Sequence, residues 1–208
     1  LKLYYKEMLS KYEHITVRES SAIELLKTIG IKSKQVLDPT LLLESSHWNE
    51  LTLPIKEKKY ILVYQLHNDK KLGEYAKKIA KRKGLPLIRI SASFHQILRP
   101  GKFIYCPSVG QFLSYIKNAE YMITDSFHGT AFALNFNTQF VEILPNNKTE
   151  TRNISLLQLT GLSDRIAKNY ELSVCDRMID FSNVNQILKH ERGNSILCLK
   201  KMLEDCYE

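Results

Sequence analysis

Short apolar runs alternate with amphipathic segments along most of this chain, and this alternation constrains the fold more than any other feature. The clearest unit is an apolar run at residues 60–66, a helical pattern at 69–83 and a second apolar run at 86–90. Gly84 is placed to end the helix. Parallel strands need a crossover connection, which is usually a helix. We therefore predict an α/β fold: a Rossmann-like, mainly parallel sheet with flanking helices.

The same alternation continues toward both ends of the chain. Further strands are predicted at residues 14–17, 35–37, 103–106, 121–124 and 140–144. Further helices are predicted at residues 21–29, around 47–51, from 108, through 154–159 and at 182–203. Capping boxes are indicated by Ser21 with Glu24 and by Ser108 with Gln111, and Gly193 is a candidate break in the last helix.

The chain carries an excess of cations, with a formal net charge of +8 over 208 residues. A run of lysine and arginine at residues 77–83 lies on a predicted helix and indicates a solvated face. The excess also suits anionic substrates or a membrane that carries anionic head groups. Aromatic residues are not interleaved with a basic stripe, so nucleic acid is not a predicted partner.

Metal sites and membrane spans are not indicated. The four cysteines have no Cys-x-x-Cys spacing, and His47, His67 and His95 have no partners at metal-binding spacing. No run approaches the roughly 20 apolar residues of a membrane-spanning helix, and the first residues do not resemble a signal peptide. We expect a cytoplasmic protein that can also lie at the inner face of the membrane.

The segment YMITDSFHGTAFAL, residues 121–134, places a histidine on a predicted strand-to-helix turn. Asp125 and Ser126 are placed to cap the helix, and Gly129 permits a close backbone approach. A helix start presents free N–H groups and positive potential, which suit a phosphate or a carboxylate. His128 is therefore either an acid–base residue beside a bound anion or a polar residue packed at a turn.

Several polar residues fall where predicted strands end. In open α/β sheets, ligands bind beyond the carboxyl ends of the strands. The candidates there are Arg18, Asp38, the turn at 65–68, residues 125–129, and the loop with Lys148 and Arg152. We expect several of them to converge on one cleft.

Six segments together resemble the polysaccharide pyruvyl transferase family. They are, in chain order, ITVRESSAIELL, VLDPTLLL, YILVYQL, ITDSFHGTAFALNFNTQFV, TRNISLLQLTGL and IDFSNVNQILKHERGNSILCL. The resemblance implies two Rossmann-like domains that face each other across a cleft, as in GT-B glycosyltransferases. Residues 1–30 would then be the end of a truncated amino-terminal domain, 31–181 a Rossmann-like donor-binding domain, and 182–208 a helix that packs back on the domains.

The resemblance also implies a reaction. A pyruvyl group passes from phosphoenolpyruvate to sugar hydroxyls of a surface polysaccharide or its precursor, which forms a pyruvate ketal and releases phosphate. The expected partners are phosphoenolpyruvate and a sugar or lipid-linked saccharide acceptor, with peripheral membrane association compatible with the latter. No cofactor beyond the donor substrate and no metal are expected, and the oligomeric state stays open.

Three roles in the donor site follow from the resemblance. His128 is the expected general acid or base. Arg18 binds the donor phosphate or carboxylate, unless it forms a salt bridge to Glu19 or to a neighbouring helix. Lys148 and Arg152 close over the anion, unless they belong to a solvated loop.

Supporting roles complete the expected site. Ser126 and Gly129 contribute to donor binding at the helix start. Asp125 either caps that helix or orients His128, and the cap is the favoured interpretation. Asp38 is expected to be structural, because an aspartate before proline can satisfy backbone donors in a turn.

Two other functions stay open. A GT-B glycosyltransferase would hold the diphosphate of a nucleotide sugar with the same basic loop, although no clear acidic ribose-binding residue follows the relevant strand. A Rossmann-like module without catalysis could instead act in assembly or as a donor-binding half. Stabilisation by phosphoenolpyruvate or by a nucleoside diphosphate separates the first two enzymes.

Overall fold

The computed structural model describes residues 1–145 and 150–205 and contains a five-stranded parallel sheet. Its strands are β3 (Ile61–Tyr64), β4 (Leu87–Ser91), β5 (Lys102–Tyr105), β6 (Tyr121–Thr124) and β7 (Phe140–Glu142), in the spatial order β5-β4-β3-β6-β7. Every neighbouring pair is parallel. The predicted α/β fold is thereby confirmed.

A smaller parallel pair precedes this sheet. It consists of β1 (Thr16–Val17) and β2 (Lys34–Gln35). The Oγ of Ser155 accepts hydrogen bonds from the amide of Ser20 at 3.2 Å and from Nε2 of Gln35 at 3.3 Å. These contacts hold the small sheet against the helix that carries Ser155, and they bring Arg18, at the end of β1, toward the larger sheet.

Nine helices are described in residues 1–145 and 150–205. They are α1 (Lys2–Leu9), α2 (Ser20–Lys27), α3 (Pro39–Leu42), α4 (Ser45–Glu50), α5 (Lys70–Lys83), α6 (Val109–Lys117), α7 (Phe127–Phe136), α8 (Thr151–Leu159) and α9 (Phe181–Asp205). Short 3-10 turns occur at Phe94–Leu98, Ser163–Arg165 and Leu172–Asp176.

The helix ends show where local sequence signals succeed. Asp69 caps α5 by accepting from the amide of Lys71, and Gly84 ends it with φ of 64°. The predicted capping box of Ser108 with Gln111 is present at α6. These caps are hydrogen bonds between residues two or three positions apart, so they form regardless of which element packs against the helix.

Two predicted helix features are wrong. The Ser21–Glu24 capping box does not form, because Glu19 occupies the cap position and the Ser21 hydroxyl donates to its carboxylate instead. The expected break at Gly193 is absent, since α9 is continuous from Phe181 to Asp205. A glycine lowers helix propensity by about 1 kcal/mol, which burial along a long helix readily offsets.

Two hydrophobic cores lie on the two faces of the large sheet. Leu62 of β3 and Met122 of β6 face a core that includes α6, α7 and α9, whereas Ile61 and Val63 of β3 face a core that includes α5. All four side chains are fully buried. Burial on both faces explains why the strands are continuous apolar runs.

The strand order reverses between β3 and β6. From the central β3 the chain moves outward through β4 and β5, and then crosses to β6 on the opposite side of β3. A crevice forms at the carboxyl edge of a parallel sheet where the order reverses in this way, and ligands bind there. The loops that follow β3 and β6 therefore flank the expected binding position.

Candidate active site

His128 lies in the first turn of α7, directly after β6. Its side chain is 49% exposed, and its Nε2 lies 4.0 Å from Oδ1 of Asp38. The imidazole packs edge-on against the ring of Phe127, with centroids 5.4 Å apart. The structure thus presents His128 at the carboxyl edge of the sheet, with a carboxylate on one side.

The start of α7 is packed tightly onto β6. Ser126 is the cap, as predicted, and its Oγ accepts from the amide of Gly129 at 3.3 Å. A Cβ at Gly129 would lie 2.6 Å from Oγ1 of Thr124 and 2.9 Å from Cε of Met122. The close approach expected at Gly129 is therefore to the sheet, and it fixes the height at which His128 is presented.

Asp38 is a buried carboxylate between His128 and Arg18. Its side chain is 1% exposed, and its Oδ1 accepts from the amide of Thr40 at 3.0 Å and from the Thr40 hydroxyl at 2.7 Å. Burial opposes ionisation, but the hydrogen bonds from Thr40 and Arg18 outweigh it and lower the pKa of Asp38 below its usual value. The carboxylate accepts from a backbone donor in the turn, as expected, and it also contacts Arg18 and His128.

Arg18 forms its ion pair with Asp38 through Nη1. The expected alternative, a bridge to Glu19, is wrong, because the carboxylate of Glu19 accepts from Ser21. The Arg18 side chain stays 41% exposed. Asp38 therefore joins Arg18 and His128 into one cluster that remains open to solvent on its outer side.

Arg152 lies in the first turn of α8, so its expected position on a loop is wrong. Its guanidinium lies 5.4 Å from the ring centroid of Phe127, the first residue of α7. This cation–π contact places a second arginine beside the start of α7. The expected contribution of Lys148 lies outside the described residues.

Asp125 neither caps α7 nor orients His128, which corrects both interpretations of this residue. Its Oδ1 accepts from the amide of Leu66 at 2.7 Å, and its Oδ2 accepts from the amide of His67 at 2.9 Å. Burial raises the pKa of Asp125, although these two amides and His67 pull it down. The carboxylate joins the loop after β6 to the loop after β3.

Glu142, at the end of β7, is a buried polar residue that sequence patterns did not single out. Its carboxyl accepts from the Thr130 hydroxyl of α7 and from the Asn153 amide of α8. Full burial raises its pKa well above the usual value. A charged residue inside the apolar run FVEIL was the available signal, and its role is to hold α8, with Arg152, against α7.

His67 lies in the turn at 65–68, which was a candidate at the strand ends, but no role was predicted for it. Its Nδ1 lies 3.2 Å from Oδ2 of Asp125, a contact that only the folded chain creates. No group of three metal-ligating side chains occurs within residues 1–145 and 150–205. Across those same ranges, every helix is too short or too polar to cross a bilayer.

Comparison with known proteins gives a family and a fold. The sequence model of the polysaccharide pyruvyl transferase family matches residues 1–147, which include Arg18, Asp38, Asp125 and His128. No protein with a curated description matches the sequence at a significant level.

Among solved structures, a point mutant of the Thermobaculum terrenum O-GlcNAc transferase is similar, with a TM-score of 0.51 and 12% sequence identity. The similarity covers 75% of this chain and 36% of that transferase, so this chain spans about a third of its length. At this identity the likeness concerns the fold alone, which is GT-B-like.

Proposed function

This chain belongs to the polysaccharide pyruvyl transferase family, and from that membership we propose that it transfers a pyruvyl group from phosphoenolpyruvate to sugar hydroxyls. The acceptor belongs to a surface polysaccharide or its precursor, and the product is a pyruvate ketal. The observation that carries this proposal is the cluster of Arg18, Asp38 and His128 at the start of α7. An acid–base residue lies there beside cations that suit a donor with two anionic groups, a phosphate and a carboxylate.

The reaction needs a proton donor for the methylene carbon of phosphoenolpyruvate, because this protonation makes the adjacent carbon 2 electrophilic. A sugar oxygen attacks carbon 2. A second sugar oxygen replaces the phosphate. Two hydroxyl protons leave the sugar in all, of which one is balanced by the proton gained at the methyl group and the other by the proton carried by the released phosphate.

We assign the methylene proton to His128, which is accessible and faces an ionised carboxylate. Arg18 binds the donor phosphate or carboxylate with the donors of its guanidinium that point away from Asp38. Arg152 and the first N–H groups of α7 supply further positive potential. Lys148 keeps its proposed part in closing over the anion, whereas Ser126 and Gly129 act by holding the helix start in place.

We propose the domain division as it was predicted. Residues 1–30 form the end of one domain; their strand β1 pairs with β2, which lies just beyond the proposed boundary. Residues 31–181 contain the large sheet and hold the donor. Residues 182–208 are the predicted helix that packs back on these domains. The hydroxyl of Ser195 in α9, which accepts from the amide of Leu37 at 2.9 Å, supports this proposal.

The direct test is phosphate release from phosphoenolpyruvate by the full-length protein, with a panel of lipid-linked and free sugars. His128→Gln is expected to lower turnover by about 100-fold to 10,000-fold, the usual contribution of a general acid. The matched control is His190→Gln, since His190 is 72% exposed on α9. Near wild-type turnover of His128→Gln would remove His128 from the chemistry.

A glycosyltransferase that uses a nucleotide sugar is the second candidate, and the GT-B-like fold of the O-GlcNAc transferase favours it. The two functions differ in the ligand that stabilises the protein. A ligand at 100 times its dissociation constant stabilises a protein by about 2.7 kcal/mol. Thermal unfolding with phosphoenolpyruvate or with a nucleoside diphosphate therefore separates them.

Peripheral membrane association at the cytoplasmic face is part of the proposal for a lipid-linked acceptor. Phe94 and Leu98 are 62% and 90% exposed, and Arg99 follows them. Exposed apolar side chains beside a cation suit the surface of an anionic bilayer. Leu98→Glu is expected to weaken sedimentation with anionic phospholipid vesicles, whereas Met178→Glu, at another exposed apolar residue, leaves it unchanged.

A further inference from the structure

We propose that His67 is a second acid–base residue, which accepts the proton of the attacking sugar hydroxyl, and that Asp125 positions it. This inference rests on the proposed pyruvyl transfer and adds the base that this reaction requires. The evidence comes from the contact of the two side chains, the rigidity of the loop that carries His67, and the pocket that this loop lines.

The contact with Asp125 selects one tautomer of the imidazole. Nδ1 of His67 is buried, and Oδ2 of Asp125 lies 3.2 Å from it. Within the described residues no group meets the full hydrogen-bond geometry with Nδ1, and Oδ2 of Asp125 lies within hydrogen-bonding distance of it. A carboxylate favours the proton on Nδ1, so the neutral ring carries its free lone pair on Nε2.

The loop that carries His67 is held from both sides. Gln65 donates from Nε2 to the carbonyls of His67 at 2.8 Å and of Asp69 at 2.7 Å. Arg89, which is fully buried, donates to Oε1 of Gln65 at 2.9 Å. Asp125 binds the amides of the same loop from the other side. An acid–base residue on such a loop needs little reorganisation to react.

A cavity of about 570 Å³ opens beside this pair. It is lined at the carboxyl edge by the loop after β3, the start of α5 and the segment after β7, and its polar lining residues are His67, Asn68, Asp69, Lys70, Lys71, Asp125 and Tyr170. Two lysines offset two aspartates there. A lining with balanced charge, hydrogen-bonding groups and an aromatic ring fits a polyhydroxylated sugar better than a multiply charged anion.

The two histidines flank the reversal of strand order. His67 follows β3 and His128 follows β6, and adjacent strands lie about 4.8 Å apart. Asp125 contacts His67 and is three residues before His128 in the same turn. Both histidines therefore follow neighbouring strands at the carboxyl edge of the sheet, which suits an acid for the donor and a base for the acceptor on the two sides of the crevice.

The proposed step balances. The sugar O–H bond breaks and its proton goes to Nε2 of His67, while the oxygen forms a bond to carbon 2 of the donor. The π electrons between carbons 2 and 3 take a proton from His128. His67 is left protonated and His128 neutral. Phosphate then leaves carbon 2 with the proton of His67, and the second sugar oxygen bonds to carbon 2 and gives its proton to His128, which restores both histidines.

The test is the full-length protein with His67→Gln, assayed for phosphate release and for product. We expect kcat to fall by about 100-fold to 10,000-fold, with the KM for phosphoenolpyruvate nearly unchanged. His95→Gln is the matched control, because His95 is exposed on the neighbouring 3-10 turn. Retention of wild-type kcat by His67→Gln overturns the inference.

A spectroscopic measurement is independent of turnover. In protein with ¹⁵N-labelled histidine, we expect the neutral His67 ring to carry its proton on Nδ1, and Asp125→Asn to shift it toward Nε2. An Nε2–H tautomer in the wild type rejects the role of Asp125. Failure of the wild type to release phosphate from phosphoenolpyruvate rejects the proposed transfer and, with it, the acceptor base, whereas loss of activity in His67→Gln alone supports both.

Discussion

Asp38 and Asp125 are both buried at the carboxyl edge of the sheet, on different sides of the start of α7, but they meet opposite environments. Asp38 faces the guanidinium of Arg18, and its pKa is lowered. Asp125 faces two backbone amides and a histidine, and burial raises its pKa. The comparison teaches that residue type alone does not decide how strongly a carboxyl favours the ionised state; the balance between its burial and the partners supplied by the fold decides it.

This difference matches the division of labour that we propose. The Asp38 side gathers Arg18 and His128 for an anionic donor. The Asp125 side has balanced charge and orients His67 toward a sugar. Three substitutions and one pH comparison can break or sharpen the contrast, and they follow from the largest expected effect to the smallest.

Asp38→Asn is expected to have the largest effect on stability. It leaves Arg18 without its carboxylate and weakens the bonds from Thr40, so we expect a loss of about 3 kcal/mol in the free energy of unfolding. Urea denaturation measures it. Asp176→Asn, which breaks the exposed pair with Arg82, is the control and should cost less than about 1 kcal/mol. Equal losses in both variants would show that the buried carboxylate of Asp38 contributes no more than an exposed one.

Gly129→Ala tests the close packing of α7 on β6, which fixes the position of α7 between the two aspartates. The new Cβ would press on Thr124 and Met122, and such overpacking costs about 2 kcal/mol. Gly193→Ala, on α9 with open space around it, should instead stabilise the protein by about 0.5 to 1 kcal/mol. Thermal unfolding of the two variants measures both effects. If Gly129→Ala leaves the stability unchanged, α7 can move away from β6 to make room for the new Cβ.

Asp125→Asn should lower the free energy of unfolding by about 1 kcal/mol, less than Asp38→Asn does, as measured by urea denaturation. The variant loses charge-assisted hydrogen bonds, but it also removes a desolvated charge. The loop after β3 should loosen while the sheet persists. Faster amide hydrogen exchange at Leu66 and His67 is the expected signature. Unchanged exchange at these two amides would show that Gln65 alone holds the loop.

The smallest effect is the opposite pH dependence of the two variants. The stability from Asp38 is present above its unfolded value of 3.8 and is lost as pH falls through its lowered pKa. The contribution of Asp125 is present below 3.8 and is lost as pH rises through its raised pKa. Relative to wild type, the deficit of Asp38→Asn should therefore shrink in acid while that of Asp125→Asn grows; deficits that move together would refute the assignment.

Much of the fold was predictable from local patterns. The alternation of residues 60–90 predicted β3, α5 and β4, and the caps at Asp69 and Gly84 fixed the ends of α5. The turn at Ser126 was also predicted, because a cap bonds to an amide three residues away. Each of these features depends on contacts between near neighbours in sequence.

The site was only partly predictable. Arg18, Asp38 and His128 were selected as strand-end residues, but the pairing of Arg18 with Asp38 was not foreseen. Asp125 was assigned a local role, whereas its partners Leu66 and His67 are 59 and 58 residues away. Such pairings depend on strand order, and periodicity predicts strands without their neighbours.

The sequence by itself determined the family, the α/β class, the cation excess and the presence of a histidine at a helix start after a buried strand. Those properties depend only on residue type and on the spacing of residues that are close in sequence. Only the tertiary structure decided that β6 lies beside β3, and hence that Asp125 meets His67 while Asp38 joins Arg18 near His128. The physical reason is that burial and long-range partners set the electrostatics of a carboxyl group, and both exist only once the chain has folded.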